Sequence, residues 1–302
     1  MDSIFYAKER IKANRARAER EYEEVLASLC EDETFEEKYR KLDVLNFEIA
    51  KREVFGMDKG DLEREREELK RDVDKQLRAR NIRGLGEPNY SCEKCRDTGY
   101  INGKKCDCLE KTRIAIEMEN NPFFVQLPDR LKDVKYDFYG KNAEKYTKYA
   151  KFVNNNFVKG ELNTCTLIGA SGTGKTYIAQ TAVKEMLLSG MSVAVHNAVK
   201  LNRVFLEYHV AFLENKGEIW RDLIDPDVLL IDDLGVESVL NNVTVQYLYE
   251  LLTERADKKT IITSNLDLRR LEDKYGQRIM SRLADKRKSA VILFDGEDYR
   301  IK

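Results

Sequence analysis

The 302 residues carry 53 basic and 54 acidic side chains, a formal charge of −1, with 35% charged and 42% hydrophobic residues. A chain of this length holds about two domains, and its near-neutral balance excludes nucleic-acid binding through global charge, leaving only local basic patches. No run of about eighteen apolar residues occurs, which excludes a transmembrane helix. Met1-Asp2-Ser3-Ile4-Phe5 lacks the basic-then-apolar order of a secretory signal. Six cysteines in such a chain point to metal or free thiols before disulfides, and to a cytoplasmic protein with no membrane contact.

Residues 1–83 read as an α-helical domain. They contain no proline, and Gly56 and Gly60 are the only glycines. Tyr22, Val25, Leu26 and Leu29, then Leu42, Leu45, Phe47 and Ile49, recur at helical spacing. Gly56 to Gly60 marks a break, with Asp58 or Asp61 available to cap the next helix. A helical module with so thin an apolar supply is expected to dock on a partner protein that finishes its burial.

Residues 84–120 form a second module. Cys92 and Cys95 are separated by two residues, Cys106 and Cys108 by one, and Gly99, Asn102 and Gly103 supply turn residues between the pairs. Two close cysteine pairs across a short hairpin converge on one tetrahedral ion, and four protein ligands leave no open position for a substrate, so the expected metal is a structural zinc. An iron–sulfur cluster is the alternative for such a set. Residues 121–139, with Pro122 and Pro128, read as a linker.

From residue 140 to 302, helical patterns alternate with five apolar, β-branched runs: Cys165–Ile168, Ser192–Val195, Val228–Ile231, Thr260–Thr263 and Ala290–Leu293. This is the pattern of an α/β domain with a parallel sheet covered on both faces. After the first run comes Gly169-Ala170-Ser171-Gly172-Thr173-Gly174-Lys175-Thr176, a Walker A loop in every fixed position, between a strand and a helix. Its glycines let backbone N–H groups turn toward phosphate oxygens at a helix N-terminus. Lys175 is expected to reach the β- and γ-phosphates and Thr176 to ligate Mg²⁺, with Tyr177 completing the ATP-binding stretch.

Asp232, at the end of the third run, is the expected second Mg²⁺ residue, and Asp233 the group that orients or deprotonates the attacking water. Glu237 is a substitute for that base. Asp233 is shorter than a glutamate, so slow hydrolysis is expected. Thr263-Ser264-Asn265 closes the fourth run near the γ-phosphate, or caps the following helix. Arg278 and Arg282 share one helical face, either as a solvated basic surface or as a finger supplied to a neighbour's nucleotide.

Together these loops, the Thr-Ser-Asn strand end and Gly276-Gln277-Arg278-Ile279-Met280-Ser281-Arg282-Leu283 resemble the AAA+ ATPases. Within that group the chain resembles the bacterial replicative helicase loaders of the DnaC/DnaI type and their relatives, the IstB-type transposition helper ATPases. The resemblance covers roughly 140–302, and the cysteine segment sharpens it toward the DnaI-like loaders. It implies an AAA+ core without a large C-terminal lid, Asn265 as sensor 1, Arg282 as the trans-acting finger beside Arg278, and Arg300 as a late sensor arginine. It further implies self-association through the ATPase domain, a hexameric replicative helicase as partner of the N-terminal domain, and contact with single-stranded DNA. Lys200, Arg203, Phe205 and Tyr208 are candidates for that contact by charge and stacking, although Phe205 and Tyr208 also fit helix core packing. Two other readings are a transposition helper acting on duplex DNA and a DNA-binding adaptor that scarcely hydrolyses its nucleotide.

Overall fold

The computed structural model describes residues 3–136, 140, 142–296 and 298–299, which fall into two compact units, Ser3–Arg113 and the stretch from Ile114 onward. Arg300 lies outside the described residues. No helix among them is long and apolar enough to cross a membrane.

The first unit holds three long helices, α1 (Ser3–Leu29), α2 (Glu33–Val54) and α3 (Gly60–Ala79). The α2–α3 break falls at the predicted glycines. Asp58 accepts from the Gly60 amide at 3.0 Å, which satisfies one of the free donors at the helix start. The α1–α2 break has no glycine or proline to announce it. It is made by Asp32, whose carboxylate accepts from the amides of Thr34 and Phe35 as an N-cap. Leu29, Phe35, Leu42, Val73, Leu77 and Ile82 form the small core. Phe47, spaced as a core residue, is instead 71% exposed. The cysteine module packs in the same unit: Gly86 donates to Tyr22 Oη at 2.8 Å and Tyr90 Oη to Glu19 at 3.2 Å. A two-stranded hairpin, β1 (Tyr100–Ile101) and β2 (Lys104–Lys105), leads into α4 (Asp107–Asn120).

The second unit contains all five expected strands: β3 (Thr164–Gly169), β4 (Val193–Asn197), β5 (Val228–Asp232), β6 (Lys259–Ser264) and β7 (Ser289–Phe294). They pair in the order β4-β5-β6-β3-β7, all in parallel. Helix α5 (Ala143–Phe152) precedes β3, and α6 (Lys175–Leu188) connects β3 to β4. Helices α7 (Ala198–Val210) and α8 (Leu213–Ile224) lie between β4 and β5, and α9 (Thr244–Glu254) between β5 and β6. Helices α10 (Leu268–Tyr275) and α11 (Gln277–Leu283) precede β7. Two apolar clusters cover the two faces of the sheet, as near-continuous apolar strands require.

The described part of the proline-bearing stretch, residues 121–136, is packed rather than free. Phe124, Leu131, Val134 and Tyr136 are buried in the core cluster that includes α6. Buried Lys184 on α6 donates to the Leu127 carbonyl at 2.6 Å and pairs with Asp129 at 2.8 Å, while Glu185 accepts from the Leu131 amide at 2.8 Å. Proline and polar residues here mark a change of direction, and the interspersed aromatic and aliphatic residues supply the burial.

Arg255, just after α9, is 1% exposed. Its guanidinium donates to the carbonyls of Leu223, Ile224, Pro226 and Lys259 and to Thr260 Oγ1. It therefore ties the end of α8 to the starts of β5 and β6, satisfying acceptors that water does not reach. Arg255→Met should leave those acceptors buried without their donor and cost about 3 kcal/mol, read as a fall in the urea midpoint at unchanged slope. A midpoint equal to wild type refutes this role.

Candidate nucleotide and metal sites

Parallel sheets bind ligands beyond the carboxyl ends of their strands, and the predicted residues collect there. Because β6 lies between β3 and β5, its end separates the phosphate loop from the acidic pair. Asn265, immediately after β6, accepts from Lys175 Nζ at 3.0 Å and donates to Asp233 Oδ1 at 3.1 Å. Lys175 also donates to the carbonyls of Gly169 and Ala170 at 2.8 and 2.6 Å. Thr176 Oγ1 donates to Asp232 Oδ1 at 2.8 Å. One connected polar network thus joins the phosphate loop, the acidic strand end and the Thr-Ser-Asn strand end.

Two glycines of the loop are fixed by what lies against them. Gly169 has φ of +143°, and a β-carbon there would lie 2.0 Å from the Phe294 carbonyl oxygen. Gly172 has φ of +71°, and its β-carbon would lie 1.6 Å from an Asp298 carboxylate oxygen. Gly169 excludes a side chain on conformation and on space, because the obstacle is backbone; Gly172 excludes one on conformation, since the Asp298 side chain can swing aside.

A cavity of about 400 Å³ opens beside this network. Ser171, Gly172, Thr173, Gly174, Lys175, Thr176 and Tyr177 line one side, and Asp233 and Asn265 another. Gln180 and Tyr299 also line it, and sequence reasoning missed both. Gln180 lies four residues beyond Thr176 on α6, so helical spacing marks it. Tyr299 has no such signal: its amide donates to the Gly172 carbonyl at 3.1 Å, and its hydroxyl accepts from Asn142 at 2.7 Å.

Glu237, the substitute base, is held elsewhere. It is 5% exposed, accepts from the Gly235 amide at 2.9 Å and from the Tyr275 hydroxyl, and does not line the cavity. Burial and the Glu237 carboxylate raise the Tyr275 phenol well above its ordinary range, so it remains a donor. Arg278 and Arg282 are both exposed on α11. Arg282 lies 5.6 Å from the Tyr249 ring centroid, and its guanidinium holds the Tyr249 hydroxyl below the usual tyrosine range. Arg278 and Tyr249 line a separate cavity of about 690 Å³.

The residues considered for DNA divide. Lys200 and Arg203 are exposed on α7. Phe205 is 2% exposed and belongs to the core, and half-buried Tyr208 packs 4.8 Å from the Trp220 ring and edge-on to Tyr247. The aromatic pair thus serves packing, and no stacking surface for bases is built from Phe205.

In the first unit the sulfurs of Cys92, Cys95, Cys106 and Cys108 all lie within 4.8 Å of one another. Cys92 and Cys106 sulfurs are 3.8 Å apart, and those of Cys95 and Cys108 3.3 Å. Four thiolates at the usual zinc distance are about 3.8 Å apart, so the set fits a tetrahedral zinc. Asp97, 3% exposed, accepts from the amides of Ser91 and Cys92 at 2.7 and 2.8 Å and so fixes the first turn of the cluster. The pairing of cysteines is legible in the sequence; Asp97 is not.

Against known proteins, residues 112–302 match the family described as IstB-like ATP binding protein. The replicative helicase loader DnaC of Escherichia coli (strain K12) is 25% identical over 145 residues, which is 47% of this chain and 58% of that protein. DnaC of Shigella flexneri aligns to the same extent. The match thus spans little more than half the length of these curated relatives. A crystal structure of the DnaC helicase loader aligns with a TM-score of 0.45 and 20% identity over 55% of this chain and 97% of that one. A crystal structure of DnaI aligns with a TM-score of 0.43 and 22% identity over 59% and 93%. The family match takes in the phosphate loop, the acidic strand end and the whole five-stranded sheet, and the chain belongs to the IstB-like ATP-binding protein family.

Proposed function

We propose that this protein is a cytoplasmic AAA+ ATPase that loads a hexameric replicative helicase onto single-stranded DNA, with ATP occupancy governing its hold on the helicase. The observation that carries the reading is the convergence of Lys175, Thr176, Asp233 and Asn265 at one cavity, with Asp232 bonded to the Thr176 hydroxyl. Likeness to the DnaC loaders supports the choice of partner.

The phosphates of ATP sit on the loop Gly169–Thr176, at the N-terminus of α6, where backbone N–H groups and the helix dipole favour negative charge. Lys175 neutralises the β- and γ-phosphates. Thr176 and Asp232 are oxygen donors beside the cavity, a set suited to Mg²⁺, which when bound offsets charge on the phosphates. Asp233 takes the proton of the attacking water, and Asn265, bonded to both Asp233 and Lys175, keeps base and phosphate anchor in register. Arg282, exposed on α11 with Arg278 one turn away, is the group offered to the γ-phosphate held by the next subunit. The helical unit docks the helicase, and a structural zinc on the four cysteines stiffens the hairpin that follows it.

The family match also favours a second reading, a transposition helper. Co-elution of the full chain with its host's purified replicative helicase, in MgATP, is expected; co-elution with the transposase alone overturns the loader reading.

Lys175→Ala should cost at least about a hundredfold in kcat/KM for ATP. Asp233→Asn should keep ATP binding and lose about a hundredfold or more in kcat. If the wild type binds ATP and turns over no faster than either variant, the protein is a nucleotide-dependent adaptor. Arg282→Ala should bind ATP normally and lose about a thousandfold of the hydrolysis that assembly stimulates; full activity at high protein concentration removes it from the finger role. Elemental analysis of protein purified without chelator should give one zinc per chain; a zinc-free, folded protein refutes the metal assignment.

A further inference from the structure

Thr263 is the last but one residue of β6 and is fully buried. β5 and β6 pair in parallel up to Ile231 and Ile262, so the next step along the two strands brings Thr263 beside the acidic pair. Its hydroxyl is used twice. Oγ1 donates to Asp232 Oδ1 at 2.6 Å and accepts from the Asp233 amide at 2.9 Å. Asp232 ends the other strand and Asp233 follows it, and both are residues of the proposed hydrolytic site.

The strand itself does not need that hydroxyl. Its neighbours Ile261 and Ile262 are fully buried and apolar, and a valine has the same branched shape and suits a buried strand as well. The Thr263 carbonyl separately accepts from the Leu234 amide at 2.8 Å, so the backbone link between the strand ends survives without the side chain. What the hydroxyl adds is orientation. Asp233 sits at φ of +57°, a left-handed conformation that a residue with a β-carbon seldom adopts. The bond to its amide holds it there, with the carboxylate turned to Asn265 at 3.1 Å and lining the cavity. The bond to Asp232 meets the Thr176 hydroxyl at the same oxygen, Oδ1. The carboxylate is thereby fixed about its own torsion, with Oδ2 outside both bonds.

We infer that Thr263 is a positioning residue that sets the Mg²⁺-side carboxylate of Asp232 and the base Asp233 together through one hydroxyl. The inference rests on the ATPase reading above. It differs from the role of Asn265, which faces the cavity directly.

The test uses the full chain as Thr263→Val and Thr263→Ser. A fluorescent ATP analogue is titrated in EDTA and then with increasing Mg²⁺, and kcat and KM are measured separately. The valine variant should bind the analogue in EDTA as wild type does. It should need about tenfold more Mg²⁺ for half-saturation and lose about tenfold in kcat, the size of effect seen when a residue behind a metal ligand is removed, with KM for ATP little changed. Thr263→Ser should restore both quantities. Valine equal to wild type in Mg²⁺ requirement and kcat overturns the inference, as does serine no better than valine. If valine prevents folding, as judged by thermal melting, Thr263→Ala takes its place with the same two outcomes. Failure of the wild type itself to bind the analogue with Mg²⁺ sinks the ATPase reading, a result distinct from any failure of Thr263.

Discussion

One carboxylate oxygen, Oδ1 of Asp232, receives hydrogen bonds from hydroxyls at the start of α6 and near the end of β6. Those residues are far apart in the chain, and only the sheet order brings them together. With β6 inserted between β3 and β5, each of the three strand ends contributes a different chemical group to the same small volume. The phosphate loop supplies an ammonium and a hydroxyl, β5 with its next residue supplies two carboxylates, and β6 with its next residue supplies a hydroxyl and an amide. Charge-assisted bonds between such groups are stronger than neutral ones, and a network of them is rigid only when every member has its partner. The packing of the two apolar clusters against opposite faces of the sheet keeps the strand ends level, so the network is set by the core beneath it.

Much of this was legible from local pattern. The five strands are visible because parallel strands buried on both faces must be apolar without interruption. The phosphate loop is visible because backbone curvature and phosphate chemistry dictate residue types at fixed spacing. The four cysteines are visible because ligation of a tetrahedral ion calls for close pairs of thiols, the spacing they have. What escaped depends on contacts between distant segments. Tyr299 reaches the cavity at the phosphate loop through the Gly172 carbonyl, a pairing no spacing encodes. Glu237 reads as a spare base in one dimension, but Tyr275 and the Gly235 amide hold it away from the cavity. The stretch 121–139 has the proline content of a linker, yet Phe124 and Leu131 are in the core. The α1–α2 break depended on one aspartate cap, a signal as weak as any single Asp in a sequence so rich in charge.

The two units place different physical demands on their side chains. In the first, many ion pairs are exposed, such as Lys38 with Asp72 and Arg40 with Glu36, and pairs of this kind add little stability. Its order relies on a small apolar core and on the cysteine cluster with Asp97 behind it. In the second, cations are buried and fully employed: Arg255 beneath the sheet's amino end, Lys184 on α6, and Lys175 at the phosphate loop. Removing a buried cation leaves acceptors stranded, so these three residues tolerate substitution far less than the surface lysines do.

Gly169 is paired with Phe294 at the end of β7 and has that residue's carbonyl where a side chain would be. On the ribosome the two are made far apart: roughly 125 residues separate them, many seconds of elongation at ordinary rates of synthesis. Until β7 emerges, β3 has a partner on one edge only, and the turn that follows it lacks one of its walls. The loop therefore gains this wall only late in translation, after α6 through α11 have been synthesised. A prematurely terminated chain carries the whole phosphate-binding motif in its sequence without the neighbour that shapes it.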